Sequence, residues 1–264
     1  MKSRVVAILL CVCAGVWPAA AQDMMRYVDL NSPDMTTAEM TREEVASMAA
    51  AATPGHPADF TGKKLSGLDL SGLDLSSAIF RAGRLNKTKL VGTKLDGAVL
   101  DQAWLLEADF AGASLKRANI FAAQMVRVRL DGANLSGARV VADLTGASLI
   151  GATLRGANLA ADMKNQSMGL IHTVLKSARL DNADLRDVDL SRAELQFASL
   201  KKTNLTGASL RGVDFSGADL TGATVSGADF FGADLASVRL IEPVGLEAAR
   251  NFDKAINRER LLQK

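Results

Sequence analysis

Hydrophobic residues recur at every fifth position along residues 60–140 of this chain. The register then shifts by one residue and continues over 144–159, and it resumes over 170–240. All 36 of these central positions are apolar. A period of five matches neither an α-helix nor a plain β-strand, so the pattern indicates a repeated structural unit.

The residues around each centre are restricted as well. The residue two before the centre is Ala in 23 of the 36 units, the residue one before it is Asp or Asn in 15, and the residue two after it is Gly in 17. The segment 218–222 (ADLTG) shows the whole unit. In an extended segment Ala218 and Leu220 would point inward and Asp219 would point outward. The following Thr and Gly favour a turn. The sequence therefore predicts very short strands joined by corners, with outward Asp and Asn side chains binding backbone groups there.

Such units wind the chain into a coil, because each corner turns it in the same direction. Large Leu and Phe side chains would fill the axis, and each one that is buried stabilises the fold by roughly 1.5–3 kcal/mol. Backbone groups would pair between successive coils at about 4.8 Å. We therefore expect an all-β solenoid without a conventional core.

The repeated pattern A-(D/N)-L-x-x resembles the pentapeptide-repeat family. It is clearest at 108–110 (ADF), 133–135 (ANL) and 228–230 (ADF), and it covers residues 58–242. The resemblance implies a right-handed quadrilateral β-helix with four units in each coil. The length of the repeat then corresponds to about nine coils.

One register break interrupts the repeat at about 160–169. The centres at Val140 and Leu144 are four residues apart, and so are Leu159 and Met163, which we count as a thirty-seventh centre. Seven residues then separate Met163 from Leu170. Relative to a spacing of five, each of the two short steps lacks one residue and the long step has two extra, so the differences cancel. The two extra residues would form a loop at 165–169. The alternative is a disordered excursion over the whole of 160–169.

The segments on either side of the repeat each predict a short helix. In the N-terminal cap or linker, 22–57, the helix is expected over 37–52, and the sequence TREE from Thr41 fits a capping box. In the C-terminal segment, 243–264, a capping helix is expected over 245–264. Its apolar face would consist of Leu246, Ala249, Phe252 and Ile256. Helices here would cover the open ends of the solenoid, although the C-terminal one is also suited to a dimer contact.

Residues 1–21 are typical of a secretory signal peptide. A positive start (MKSR) precedes a 13-residue apolar run, and small residues then predict cleavage after Ala21. An uncleaved anchor is the alternative, but the run is short for a membrane span of about 20 residues. We expect a periplasmic or secreted protein without a transmembrane helix after cleavage. Both cysteines, Cys11 and Cys13, lie in the apolar run, so the mature chain would have no disulfide, thiol catalyst or Cys-ligated metal.

Composition and charge narrow the functional classes. The chain is 48% hydrophobic, which excludes an intrinsically disordered protein. It has 31 Lys and Arg against 29 Asp and Glu, so nucleic acid and anionic lipid are disfavoured as partners. The first coils are locally basic, but their charges spread over several faces and favour a solvated surface over a weak anionic contact. These residues are Lys63, Lys64, Arg81, Arg84, Lys87, Lys89 and Lys94.

No set of residues predicts catalysis. His56 and His172 are far apart in the chain, and neither has metal-ligand spacing. Carboxylates 20 residues apart, such as Asp214 and Asp234, would stack about 5 Å apart. Carboxylate pairs can be catalytic, but a solenoid produces such pairs automatically. We therefore predict no catalytic residue, no cofactor and no metal site.

Several residues that flank a centre are apolar although a polar residue is expected there. With 20 residues in each coil, Leu106 would stack on Val126 and Phe121 on Val141. The pattern predicts one exposed apolar patch on two adjacent faces of the third to fifth coils, typical of an interaction surface. Its occupant could be residues 22–52 or 165–169 of this chain, a second copy in a homodimer, or a foreign protein. The patch consists of Val99, Trp104, Leu106, Phe121, Val126 and Val141.

The sequence favours a non-enzymatic, exported scaffold that mediates protein–protein interaction with an unknown partner. The family resemblance implies one alternative, a DNA mimic that protects gyrase. The neutral charge and the export signal disfavour that alternative, because such family members are strongly acidic and cytosolic. A carbohydrate-active β-helix enzyme is a further alternative, but it would require a carboxylate cluster in a groove, and the sequence does not indicate one.

Overall fold

A computed structural model describes residues 28–164 and 171–262. The repeat forms a ladder of parallel β-bridges between residues 20 apart, so that four five-residue units make one regular coil. The outward residue of each unit, one before the centre, forms the bridge. The bridges define four columns, which begin at Asp59, Lys64, Asp69 and Asp74. We call the surfaces that carry these columns faces 1 to 4, in that order.

Hydrogen bonds between coils follow one rule along the ladder. The N–H of the central Phe60 donates to the carbonyl of Ile79 in the next coil (2.7 Å), and Ile79 N–H donates back to Ala58 (2.9 Å). At the corner, Gly62 N–H donates to the carbonyl of Arg81 (2.8 Å). Three of the five N–H groups of a unit are thus bonded to neighbouring coils, which fixes the spacing of the whole body.

The regular corners turn through a left-handed residue two after the centre, whereas Ala142 at the register break does not have positive φ. This position has positive φ at Gly62 (68°) and equally at Lys87 (56°) and Phe197 (59°). A left-handed residue with a side chain costs roughly 1–2 kcal/mol. Glycine is favoured there because it avoids this cost, but the bonds between coils impose the same conformation on other residue types.

Outward Asp and Asn side chains complete the backbone hydrogen bonding, as the sequence predicts. The N–H one after the centre has no backbone partner in the ladder, and a carboxylate or amide two residues earlier accepts from it. Asp189 accepts from Ser191 N–H (2.9 Å), and Asn204 accepts from Thr206 N–H (3.0 Å). Where the outward residue is Ser148, the acceptor is instead Asp131 of the previous coil, which bonds the N–H of Ile150 (3.0 Å). The preference for Asp and Asn is therefore a capping requirement.

The central side chains form one continuous apolar core. They are almost completely buried from Phe60 to Leu240, with Phe60 stacked on Phe80 at 5.0 Å between ring centres. The inward position two before the centre holds mostly Ala, because little space remains beside the axis. Thr fits there when its hydroxyl has an acceptor, as at Thr203, which donates to the Leu180 carbonyl (2.8 Å).

The register break differs from the predicted one. Strands β1 (Asn119–Gln124) and β2 (Arg139–Asp143) pair in parallel with a bulge, and they absorb one deletion. After Leu159 the chain leaves the ladder, and column 2 continues from Asp143 to Val174, 31 residues later. The insertion at 162–172, which we call the excursion, therefore adds eleven residues to one coil. An antiparallel bridge between Asp162 and Ile171 closes its base.

Met163 is not a centre of the repeat, so that prediction is wrong. Its side chain is 49% exposed, whereas true centres are buried. The local ADM sequence matches the unit, but the backbone there pairs with the returning strand at Ile171 instead of a neighbouring coil. The predicted centre at Leu170 and the loop at 165–169 lie outside the described residues.

The N-terminal segment contains two helices, α1 (Pro33–Thr36) and α2 (Arg42–Ala50). The predicted helix thus occurs as α2, and Thr41 with Glu44 forms the expected capping box. Val45 of α2 is fully buried in the solenoid core, so α2 covers the first coil. The predicted signal peptide, residues 1–21, lies outside the described residues.

The predicted C-terminal helix is wrong, because residues 244–262 form a last coil of the ladder. Its rungs are Val244, Arg250, Ile256 and Leu262, which bridge the preceding coil at six-residue steps. Three 3₁₀ turns, Leu246–Ala248, Phe252–Lys254 and Arg258–Arg260, separate them.

The residue types at the corners of this last coil explain the difference. Gly245, Asn251 and Asn257 precede the three turns with left-handed backbones, and these are residue types that tolerate positive φ. The unpaired backbone of the preceding coil also offers hydrogen bonds that an isolated helix would leave unused. Phe252 packs edge-on against Phe230 (5.3 Å).

Removing residues 162–172 should leave the fold intact. The deletion makes Leu159 and Leu175 five residues apart and so restores a regular unit, and shortening the connection between two units costs little. We expect an unchanged far-UV circular dichroism spectrum and a single cooperative urea transition. Removal of the eleven residues 176–186 is the matched control, because it removes two buried centres and leaves Leu175 and Leu190 four residues apart, so it should lower the urea midpoint strongly. Equal loss of structure in both deletions would contradict this interpretation of the excursion.

Acid should weaken the corner caps. The Thr61 hydroxyl and N–H lower the pKa of Asp59 by hydrogen bonding, and those of Ser76 lower the pKa of Asp74. Because the folded-state pKa is depressed, this stabilisation is complete above the unfolded value of about 3.9 and is lost as the pH falls through the lower folded value. The double variant Asp59→Asn/Asp74→Asn keeps the acceptors without the charges. Its urea midpoint should therefore fall less than that of the wild type on acidification.

The double variant Asp59→Ala/Asp74→Ala is the control for these caps. It removes both acceptors, so its urea midpoint should already be lower at neutral pH. An Asn variant that loses as much stability as the wild type between about pH 5 and pH 2 would contradict the assigned role of these carboxylates.

Candidate interaction surface

Face 2 carries half of the sequence-predicted patch, and both irregular segments of the chain lie against it. Its outward column begins with Lys64, Arg84 and Trp104, and it ends with Glu194, Asp214, Asp234 and Ile256. We call the stretch from Lys64 to Gln124 the upper part of face 2. The lower part of face 2 consists of the last three carboxylates and the corner residues Phe197 and Phe231.

The predicted patch is less exposed than expected, which corrects the sequence prediction. Leu106, Val126 and Val141 are only 7%, 9% and 1% exposed. The remaining residues of the patch, Val99, Trp104 and Phe121, are half-buried. The expected stacking does occur: bridges join Phe121 to Val141 and place Leu106 and Val126 in successive coils.

The N-terminal segment packs against the upper part of face 2. The Asp34 carboxylate lies 2.6 Å from Lys64 Nζ and 2.7 Å from Arg84 Nη2. Asn86 Nδ2 donates to the Met35 carbonyl (3.1 Å), and Met35 is buried. The hydrogen bond from Lys64, reinforced by Arg84, lowers the pKa of Asp34. An acidic segment of this chain thus neutralises the most basic part of the face.

The base of the excursion lies at the other end of the predicted patch. The Arg139 guanidinium is centred 4.2 Å from the Phe121 ring, and its Nη2 is 3.4 Å from Asp162 Oδ2. The N-terminal segment and the base of the excursion therefore flank the patch. Trp104 lies between these two segments.

The lower part of face 2 contains aromatic residues that the sequence analysis missed. Phe197 is 72% exposed and Phe231 is 44% exposed. Phe197 occupies the left-handed corner position, where Gly predominates, and this exception was the available sequence signal. Phe231 directly follows a centre, as Phe121 does. The predicted patch is confined to the third to fifth coils, and Phe231 lies in a later coil.

Charged groups on the other parts of the surface are mostly paired. Lys63 contacts Glu39, Arg81 contacts Asp101, and Lys94 contacts Asp74, as expected for a solvated surface. Isolated exposed pairs of this type contribute little stability, about 0–1 kcal/mol each.

The expected stacking of Asp214 on Asp234 is confirmed by the bridge between them. Each carboxylate also caps an N–H two residues later, at Ser216 and at Ala236 (both 2.9 Å). Both acids therefore have an architectural role.

His172 lies at the foot of the excursion, where its Nε2 is 2.9 Å from Glu194 Oε1. Lys176 Nζ contacts the other oxygen of Glu194 at 2.6 Å. Within 28–164 and 171–262, no three His, Cys, Asp or Glu side chains form a group suited to a metal ion. No helix in this part of the chain is long and apolar enough to cross a membrane.

Comparisons with solved structures give several similar proteins. HetL, a pentapeptide repeat protein involved in heterocyst differentiation regulation in the cyanobacterium Nostoc sp. strain PCC 7120, is 30% identical. The match covers 84% of this chain and 99% of HetL, with a TM-score of 0.49. QnrB1, a plasmid-mediated fluoroquinolone resistance protein, is 19% identical over 74% of this chain and 92% of its own, with a TM-score of 0.33.

A pentapeptide repeat protein from the Arabidopsis thaliana thylakoid lumen is 22% identical over 66% of this chain and 68% of its own, with a TM-score of 0.15. A comparison with curated proteins gives no significant match.

The family model for pentapeptide repeats matches residues 58–97, 93–137, 123–160, 170–207 and 198–236. These ranges cover more than half of the chain. The right-handed quadrilateral β-helix of this family accounts for the four columns of the ladder. The match to the family model, together with the repeat and the ladder, shows that this chain belongs to the pentapeptide-repeat family.

Proposed function

We propose that this chain is a non-enzymatic scaffold, exported to the periplasm or secreted, that binds a partner protein through face 2. The observation that carries the proposal is the ladder from Asp59 to Leu262. Its backbone bonds hold the outward side chains in fixed columns, so a partner meets a preorganised surface and orders few side chains on binding.

Face 2 is the best candidate among the four faces. The half-buried Trp104 and Phe121 lie in its upper part, and the exposed Phe197 and Phe231 border its lower part. Aromatic side chains of this kind are enriched among residues that dominate binding energy. The proposal that the protein is exported is based on the predicted signal peptide at residues 1–21.

Site-specific photocrosslinking at Trp104 in the native host tests this function. We expect a p-benzoylphenylalanine probe at this position to give one discrete adduct with another envelope protein, identified by fractionation and mass spectrometry. The matched control is a probe at Asn134, an outward residue of face 4 whose side chain caps Ser136, and it should give no such adduct. A probe at Ser216 extends the test to the lower part of face 2.

Three results would contradict the proposal. A protein recovered only from the cytosol would exclude export. The absence of any protein adduct at both Trp104 and Ser216 would exclude binding through face 2, and an adduct between two copies would replace the foreign partner with a homodimer.

A further inference from the structure

The lower part of face 2 exposes a large aromatic side chain on an unfavourable backbone. Phe197 is 72% exposed and has a φ of 59°. Its ring lies over Gly217 in the next coil, where a Cβ atom on that glycine would be only 2.7 Å away. Phe197 is therefore a large apolar side chain exposed at a position where Gly predominates, and exposed apolar side chains that cluster mark interaction surfaces.

Two carboxylates of the same face, in the next two coils, have no cation beside them in the described part of the chain. Asp214 and Asp234 are direct partners in adjacent rungs, and like charges facing each other are destabilising. Among the residues described, no Lys, Arg or His nitrogen lies within 4 Å of either carboxylate. On face 3, by contrast, Asp219 in the same coil as Asp214 is flanked by Lys201 at 3.5 Å and Arg239 at 3.7 Å.

Gln196, the chain neighbour of Phe197, binds one of these carboxylates. Its Nε2 donates to Asp214 Oδ2 (2.6 Å), and Phe197 follows it directly. Its Oε1 is buried and accepts no hydrogen bond. A buried acceptor without a donor is costly, so this atom is a further unfilled requirement at the same place.

The opposite border of this surface shows how an aromatic residue here holds a cation. The Arg211 guanidinium is centred 4.7 Å from the Phe231 ring, and it also contacts Asp229 at 2.9 Å. One guanidinium thus makes a cation–π contact with the ring and an ion pair with the carboxylate. Phe197 with Asp214 offers the same two groups, but the described chain provides no cation there.

We propose that the lower part of face 2 is the docking surface for a cationic segment of a partner protein. Arg or Lys side chains of that segment pair with Asp214 and Asp234, and an Arg stem or an apolar neighbour packs on Phe197. Charge complementarity selects this occupant, because Asp214 and Asp234 have no cation within 4 Å among the described residues, whereas Glu194 of the same column is paired with Lys176. The inference rests on the proposed scaffold function and specifies the chemistry of its partner.

Binding of labelled peptides to the purified protein tests the chemistry. The probe is a fluorescein-labelled dodecapeptide of alternating Arg and Leu, and its matched control has Glu in place of Arg. Fluorescence anisotropy should show tighter binding of the Arg peptide, weakening as salt is raised. The variants Asp214→Asn/Asp234→Asn and Phe197→Ser should each weaken this binding about tenfold. The Asn pair retains the side-chain oxygens that cap Ser216 and Ala236, so its fold is expected to persist.

Matched variants elsewhere separate a local site from general charge attraction. Asp219→Asn removes a paired carboxylate from face 3 of the same coil, and Val91→Ser removes an apolar side chain that is 40% exposed. Neither should change the affinity by more than about twofold. Equal binding of the Arg and Glu peptides, or equal effects of all four variants, would overturn the proposal.

Photocrosslinking separates failure of this inference from failure of the scaffold function. A probe at Ser216 should capture a partner through an Arg- or Lys-rich segment, whereas one at Thr221 of face 3 should capture none. An adduct at Trp104 without one at Ser216 would overturn the docking surface and leave the scaffold function standing. Dimerisation that is lost in Asp214→Asn/Asp234→Asn would assign the surface to a second copy and overturn the foreign partner.

Discussion

The backbone bonding between coils is the constraint on which the rest of this structure depends. Each unit donates three N–H groups to neighbouring coils, so one coil fixes the path of the next. Because this ladder must close around a narrow axis, its regular corners pass through a left-handed residue, including Lys87 and Phe197 where no glycine is present. The small inward residues, the large centres and the outward Asp and Asn caps are all consequences of the same geometry.

Much of this could be predicted from the sequence because the repeat places one requirement at each position. The buried centres, the corner glycines and the capping role of residues such as Asp189 all follow from the five-residue period. The end of the repeat was harder, since Leu246, Ala249 and Phe252 also fit a helical face. The preceding coil offers backbone hydrogen-bond partners to this segment. These tertiary hydrogen bonds cannot be seen in a local sequence pattern, and they outweigh helix propensity.

The candidate site shows the same limit more strongly. The sequence indicates which residues share a column, but it does not show which segments of the chain lie against that column. Asp34 and Met35 contact the upper part of face 2, so residues that are outward by position are not all exposed. Phe197 shows the opposite case, a corner residue that is exposed. Its position in the unit predicts only a turn, so the sequence pattern does not identify it as a surface residue. Exposure on this solenoid thus depends on contacts between the repeat and the two segments outside it.

Hydrogen exchange of the intact protein tests the central claim, the ladder itself, most directly. The account predicts slow exchange with a period of five, at the central residue, the outward residue and the second corner residue of each unit. The same protection should continue at six-residue steps through Arg250, Ile256 and Leu262 in the last coil. Continuous helix-like protection over 246–262, or fast exchange at the outward residues of the repeat, would contradict it.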